Sequence, residues 1–304
     1  MRYGQLLHPK ACLGLVILAL VACGGTQGTE APTLPAVPAS ATPATMEYTY
    51  LELVSLFDYD SLAPLDIQER SVVDRNGIKV HDISYASPKG STITAYLIAP
   101  AGAGPFAGVI FLHWAAGNRD EFLNEASQIA KLGAVCILLD APFRRPGYSE
   151  LTADQMYVQT VIELRRAVDL LASRPDVDMN RLGYVGHSYG ATMGGVLAGV
   201  DKRISAYVLM AGHPRISKAE FEAPPSDPRL DAIHYIGHAS PSALFFQFAE
   251  RDEYITREAA LQFYEAGSDP KAIQWYDASH ELNDQARLDR VKWLSRQLQL
   301  EQTR

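Results

Sequence analysis

The sequence predicts an α/β fold: a mostly parallel central sheet with helices on both faces and an antiparallel hairpin on its N-terminal side. Three observations predict it. Short continuous apolar runs recur from about residue 80 onward, and most are separated by segments of helical length. That is the pattern of parallel strands buried on both faces. The first two runs are instead joined by Ser87-Pro88-Lys89-Gly90, a turn signal that makes neighbours antiparallel. Finally, the apolar run 181–185 passes through Gly186-His187-Ser188-Tyr189-Gly190 directly into a run of helical character. The composition agrees: 304 residues, 47% hydrophobic and 20% charged, is globular, and α/β folds of this length often form one unit.

The N-terminal residues have another character. Arg2 and Lys10 precede an uncharged apolar stretch, 11–22, that is too short to span a bilayer comfortably and fits the core of an export signal. It ends Leu20-Val21-Ala22-Cys23-Gly24, which resembles the bacterial lipoprotein signal. The resemblance implies removal of residues 1–22, lipidation of Cys23, and a protein exported and anchored by lipid to the bacterial cell envelope. Residues 23–45 contain Pro32, Pro35, Pro38 and Pro43 among Gly, Thr and Ala, which deny a helix or central strand and predict a disordered tether. The folded domain is expected over 46–304.

Within it, strands are expected at 80–86, 92–99, 108–113, 134–140, 181–185, 206–210, 243–249 and 272–276. Helices are expected at 119–132, 153–173, 189–198, 257–265 and 281–300. In the helix 153–173, Met156, Ile162, Leu164, Val168 and Leu171 mark a core-facing side, and Pro175 stops the chain beyond it. No internal repeat is visible.

The segment around Ser188 carries the chemistry. A serine between a buried strand and a helix, flanked by Gly186 and Gly190, sits on a turn sharp enough to lift its hydroxyl above the sheet edge. Small flanking residues let strand and helix approach closely. Here the sequence resembles the α/β-hydrolase superfamily, and within it the dienelactone-hydrolase-like and prolyl-oligopeptidase-like serine hydrolases. The resemblance runs from about residue 80 to the last helix. It implies the chain order Ser, acid, His. Asp252, just past the apolar run 243–249, and His280, just past 272–276, fill those places at the carboxyl ends of strands, where open α/β sheets put their sites. Asp227, Glu250 and Asp277 are the competing carboxylates. In this scheme His280 takes the proton of the weak nucleophile Ser188, and Asp252 fixes the imidazole tautomer. The oxyanion donors would be the backbone N–H of Tyr189 and of Trp114, which replaces the usual Gly in Leu112-His113-Trp114-Ala115-Ala116-Gly117. The Trp114 ring would then wall the acyl or leaving-group pocket.

The remaining polar residues are weighed against ordinary roles. Arg144 and Arg145 follow the strand ending at Asp140 and are candidates to clamp a substrate carboxylate, although a solvated loop pair is the commoner case. Asp140 reads as loop-ordering, His113 as a brace for the oxyanion loop and His187 as structural. His234 and His238, with His213 nearby, have H-x-x-x-H spacing without the glutamate or third ligand that zinc wants, so no metal or other cofactor is expected. Cys12, Cys23 and Cys136 build no disulfide framework, and Cys136 reads as a small buried hydrophobe. A net charge of −8 without a Lys/Arg stripe argues against nucleic acid as partner. The expected activity is hydrolysis of small to medium esters through an acyl-enzyme on Ser188. The alternatives are a serine peptidase for short peptides and a non-catalytic surface lipoprotein that binds a ligand.

Overall fold

The computed structural model describes residues 48–75, 77–147, 150–215 and 227–300. The expected signal, Cys23 and the tether lie outside them. The first strands are β1 (Gln68–Arg75), β2 (Ile78–Ala86), β3 (Thr92–Ala99), β4 (Phe106–Leu112) and β5 (Ala134–Leu139). They are followed by β6 (Val177–His187), β7 (Ala206–Met210), β8 (Ala243–Ala249) and β9 (Lys271–Tyr276). All join one sheet in the order β1-β2-β3-β5-β4-β6-β7-β8-β9. β1, β2, β3 and β5 pair antiparallel in turn, and every pairing from β5 to β9 is parallel.

The helices are α1 (Tyr50–Ser55), α2 (Leu123–Lys131), α3 (Ala153–Ala172), α4 (Tyr189–Val200), α5 (Arg257–Ala266) and α6 (Asp284–Gln297). Side-chain caps start several of them. Thr152 with Gln155 forms a capping box on α3, Thr256 accepts from Ala259 N–H on α5, and Asn283 accepts from Ala286 N–H on α6. α6 thus begins three residues later than the apolar pattern places it. α4 is buried on every side, as expected of a helix that is apolar all round.

The strand pleat sorts side chains between two cores. From β4, Ile110 and Leu112 enter the core shared with α3, α4 and α5, while Val109 and Phe111 enter the one shared with α2 and α6. A buried bidentate pair, Arg290 with Glu125 at 2.7 and 2.5 Å, ties α6 to α2. Among the described residues, no helix is long and apolar enough to cross a membrane.

Two elements were not expected. β1 is exposed along its whole length, so no burial alternation marks it, and it exists through its ladder to β2. α1 is six residues long, closed by a Thr49–Glu52 capping box. It docks where α4 ends: Tyr50 Oη donates to Gly199 O, and the Tyr50 ring stacks on His238. At the other terminus, Leu298 O lies on Arg181, at the start of the central part of β6. Both ends of the described chain therefore lie at the sheet edge away from Ser188.

Candidate active site

Ser188 joins β6 to α4 with φ 52° and ψ −107°. For a residue with a side chain this is a sparsely populated conformation, worth about 1–3 kcal/mol of strain. The close approach that enforces it needs glycine on both sides. A Cβ on Gly186 would stand 2.3 Å from Gly190 O, and one on Gly190 would stand 2.1 Å from Leu112 O. The turn is held by Ser188 N–H donating to Met210 O at 2.7 Å and by the Tyr184 hydroxyl donating to Gly190 O at 2.6 Å.

Two further strands deliver the partners. Asp252 leaves β8 and accepts from Tyr254 N–H and Ile255 N–H, both at 2.9 Å. His280 leaves β9 and donates from Nδ1 to the two Asp252 oxygens at 2.9 and 3.0 Å. Both side chains are 2% exposed. Burial alone would raise the Asp252 carboxyl, but the hydrogen bonds from His280, Ile255 and Tyr254 outweigh it and hold the group below the usual range. With Nδ1 committed, Nε2 is the nitrogen left for a reacting proton. Tyr254 sets its ring edge-on to His280 at 4.9 Å.

His280 is tied to the residue that precedes Ser188. His187 Nε2 lies 2.9 Å from His280 O, and the two imidazole centroids are 5.2 Å apart. Among the described residues Ser188 Oγ makes no hydrogen bond, and its side chain is buried.

The competing acids go elsewhere. Asp277 pairs with Arg251 at the surface, Glu250 with Arg257 and Asp227 with Arg229. Arg145 is not available to a substrate: it is 7% exposed, pairs with Glu163 of α3 and donates to Thr92 O. Arg144 is exposed and donates to Ala115 O at 2.7 Å, so it props the loop after β4.

That loop differs from expectation at its key atom. Trp114 N–H, expected as an oxyanion donor, donates instead to Glu121 Oε2 at 2.9 Å. Glu121 folds back across the loop, and α2 accordingly starts at Leu123 rather than at 119. The neighbouring Ala115 N–H has no hydrogen-bond partner among the described residues. The Trp114 carbonyl accepts from Gly117 N–H and faces His113 Nδ1 at 2.6 Å. In a trans peptide the N–H points opposite to the C=O, so Ala115 N–H points away from the buried His113. His113 Nε2 accepts from Ala141 N–H at 3.0 Å, which fixes its tautomer, and burial holds its pKa below the usual value. Tyr189, the first residue of α4, bonds through its hydroxyl to Thr160 at 2.6 Å and packs against Phe143 and Tyr157.

The other singled-out residues take separate places. His213 Nδ1 contacts Arg215 O, His234 meets the Tyr48 ring and His238 the Tyr50 ring. Among the described residues, no cluster of three His, Cys, Asp or Glu side chains has the arrangement of a metal site. Cys136 is buried, with its thiol pKa pushed up by burial. Asp140 accepts from Thr94 and from Arg119 N–H. A cavity of about 970 Å³ behind the site has Glu121, Met210 and Glu281 on its wall, but also Arg75, Arg287 and Arg290. Mixed charge of this kind does not make an acyl pocket.

A nine-stranded mixed sheet with a strained serine between β6 and α4 and an Asp–His pair on the following strand ends defines the α/β-hydrolase class. The likeness to solved structures agrees. Acetyl xylan esterase from Paenibacillus sp. R4 superposes with a TM-score of 0.68 at 20% identity, covering 82% of this chain and 93% of that one. Acetyl xylan esterase 1 from Thermoanaerobacterium sp. JW/SL YS485 gives 0.67 at 15% identity, covering 81% and 92%. A glucuronoyl esterase from Solibacter usitatus gives 0.61 at 13%, covering 82% and 91%. The chain belongs to the dienelactone hydrolase family, whose model matches residues 93–291. A search of curated proteins finds no significant match.

Proposed function

We propose that the protein is a serine esterase that forms an acyl-enzyme on Ser188. The observation that carries this is the strained Ser188 at the β6–α4 turn, with the buried His280–Asp252 pair tied to the residue beside it. His280 Nε2 takes the Ser188 proton as Oγ attacks the ester carbonyl, and returns it to the leaving alcohol. Water then repeats the sequence on the acyl-enzyme. Asp252 holds Nδ1–H and stabilises the imidazolium. The developing oxyanion is met by backbone N–H groups of Tyr189, at the positive end of α4, and of Ala115, in place of Trp114.

Esters are favoured over peptides because the structural relatives named above are esterases by description. The aromatic rings of Trp114 and Tyr254 flank His280 at 6.0 and 4.9 Å. The test is labelling by a fluorophosphonate probe together with turnover of p-nitrophenyl acetate. Ser188→Ala should lose the label and about 10⁶-fold in kcat, the scale of a lost nucleophile in subtilisin. Labelling and turnover unchanged in that variant overturn the proposal.

We propose further that Cys23 carries a lipid anchor, on the strength of the apolar stretch that ends at it. Wild-type protein should take up radiolabelled palmitate and partition into detergent, and Cys23→Ser should do neither. Equal labelling of the two overturns the anchor.

A further inference from the structure

Behind the base stands a second carboxylate–imidazole pair that the acyl-transfer steps do not use. His187 is 3% exposed. Its Nδ1 is 2.6 Å from Glu121 Oε1 and its Nε2 is 2.9 Å from the carbonyl oxygen of His280. Both facing atoms are acceptors. A neutral imidazole donates from one nitrogen only, so with Glu121 ionised both contacts are hydrogen bonds only when both ring nitrogens carry protons. Glu121 supplies the opposing charge. The His280 ring also faces the His187 ring at 5.2 Å, with Asp252 bonded on the far side of His280. The Trp114 indole covers the remaining face, nearly parallel at 15° with centroids 5.7 Å apart, an arrangement that favours a cation.

The same Glu121 carboxylate takes Trp114 N–H on its second oxygen. One side chain thus reaches two parts of the site: the turn that presents Ala115 N–H and, through His187, the main chain of the base. The opposite side of the His280 residue is held as well, its N–H donating to Glu253 Oε2 at 3.3 Å.

We propose that Glu121 and His187, the latter protonated on both ring nitrogens, form a positioning pair that locks the main chain of His280 to the turn carrying the oxyanion donor. This rests on the serine-esterase reading. The pair does not touch substrate; it sets where Nε2 of His280 and N–H of Ala115 stand relative to Ser188. Glu121→Gln keeps the size but leaves one acceptor oxygen for two donors, Trp114 N–H and His187 Nδ1–H. One contact is lost and the two parts are uncoupled. Misplacement of reacting groups by about 1 Å costs on the order of 10² in rate.

The test uses the folded protein labelled with ¹⁵N-histidine. Long-range ¹H–¹⁵N spectra at the pH of maximal activity should show one ring with both nitrogens protonated, absent from His187→Gln. In Glu121→Gln, kcat on p-nitrophenyl acetate should fall about 10–10²-fold with KM within about threefold, and fluorophosphonate labelling should slow by the same factor as kcat. Loss of fold alone would not produce that split in a variant with wild-type circular dichroism.

Gly117→Ala is the second variant, should Glu121→Gln fail to fold. A Cβ there would stand 2.5 Å from Trp114 Cδ1 and 2.8 Å from both Glu121 Oε2 and Trp114 Nε1, so the indole and the carboxylate that bracket His187 must both shift with neither removed, and the same kcat fall is expected. A neutral His187 ring in the wild type overturns the proposal, as does wild-type kcat in either folded variant; in both cases Ser188 labelling leaves the esterase reading intact. Absence of both labelling and turnover in the wild type overturns the esterase reading and the positioning role with it, while the spectra still report whether the pair exists.

Discussion

Asp252 is held by two backbone N–H groups and holds His280 by Nδ1, so changing it to asparagine should leave the fold and spoil the tautomer. Asp252→Asn should cost about 10³–10⁴ in kcat, the scale of the same change in chymotrypsin-like proteases. Asp277, 81% exposed by side chain and paired only with Arg251, should be dispensable. Measuring both variants on one activated ester decides between them: a crippled Asp277→Asn beside a near-normal Asp252→Asn means the acid is Asp277. The juxtaposition of Asp252 with His280 was legible because motif and strand ends order such residues along the chain. Trp114 was misread because the fate of its N–H depends on Glu121 folding back seven residues, which no local pattern encodes. Arg145 was misread for a similar reason. Its partner Glu163 lies on α3, where helical periodicity marks the apolar side and gives no sign that Glu163 and Arg166 are buried too.

The β6–α4 turn makes the sharpest demand on any element. At Gly190 a methyl group would collide with the main chain of β4, not with a side chain that can swing aside. Gly190→Ala should destabilise by about 1–3 kcal/mol or more, since overpacking at fixed backbone has few outlets. Urea unfolding should show a lower midpoint at an unchanged slope, with kcat reduced as Ser188 moves; a wild-type midpoint would contradict the close packing. The Arg290–Glu125 pair makes a contrasting demand on α2 and α6. Glu125→Ala strands a buried guanidinium whose Nη1 already has no partner, and should cost about 3–5 kcal/mol. Replacing both by leucine should cost far less, and a double-mutant cycle in urea measures the difference. The central elements were legible because continuous apolar strands and capped helices announce themselves. β1 was not, being exposed throughout and specified only by the strand beside it, and α1 was too short for any period to show.

At the scale of the whole molecule, three buried groups respond to acid in the same direction. His113 is depressed chiefly by burial, against the pull of the Trp114 carbonyl. Asp201 and Asp252 are raised by burial but more strongly lowered by their partners, Arg203 and Arg165 for Asp201 and His280 with two backbone N–H groups for Asp252. In each case the unfolded chain takes up the proton first as pH falls. The stabilisation is present above the ordinary pKa of the group and is lost as pH falls through its folded value. Melting temperature should begin to decline below the usual histidine range and fall further through the carboxylate range. A flat profile from neutral pH to the carboxylate range would contradict these shifts, and Asp201→Asn should remove part of the lower slope. The architecture was legible at this scale because alternation of buried strands and helices admits few arrangements; the ion pairs that join its pieces were not, since they link residues far apart in sequence. Both ends of the described residues lie away from Ser188. Ser188 caps one end of α4 and the Tyr50 contact at Gly199 lies at the other, a separation of about 16 Å at 1.5 Å per residue. Leu298 sits at the same far edge. A protein captured on a bead through a residue beside Tyr50 or Leu298 would present the edge that carries Ser188 outward, and its kcat/KM on a soluble ester should match that of the free protein.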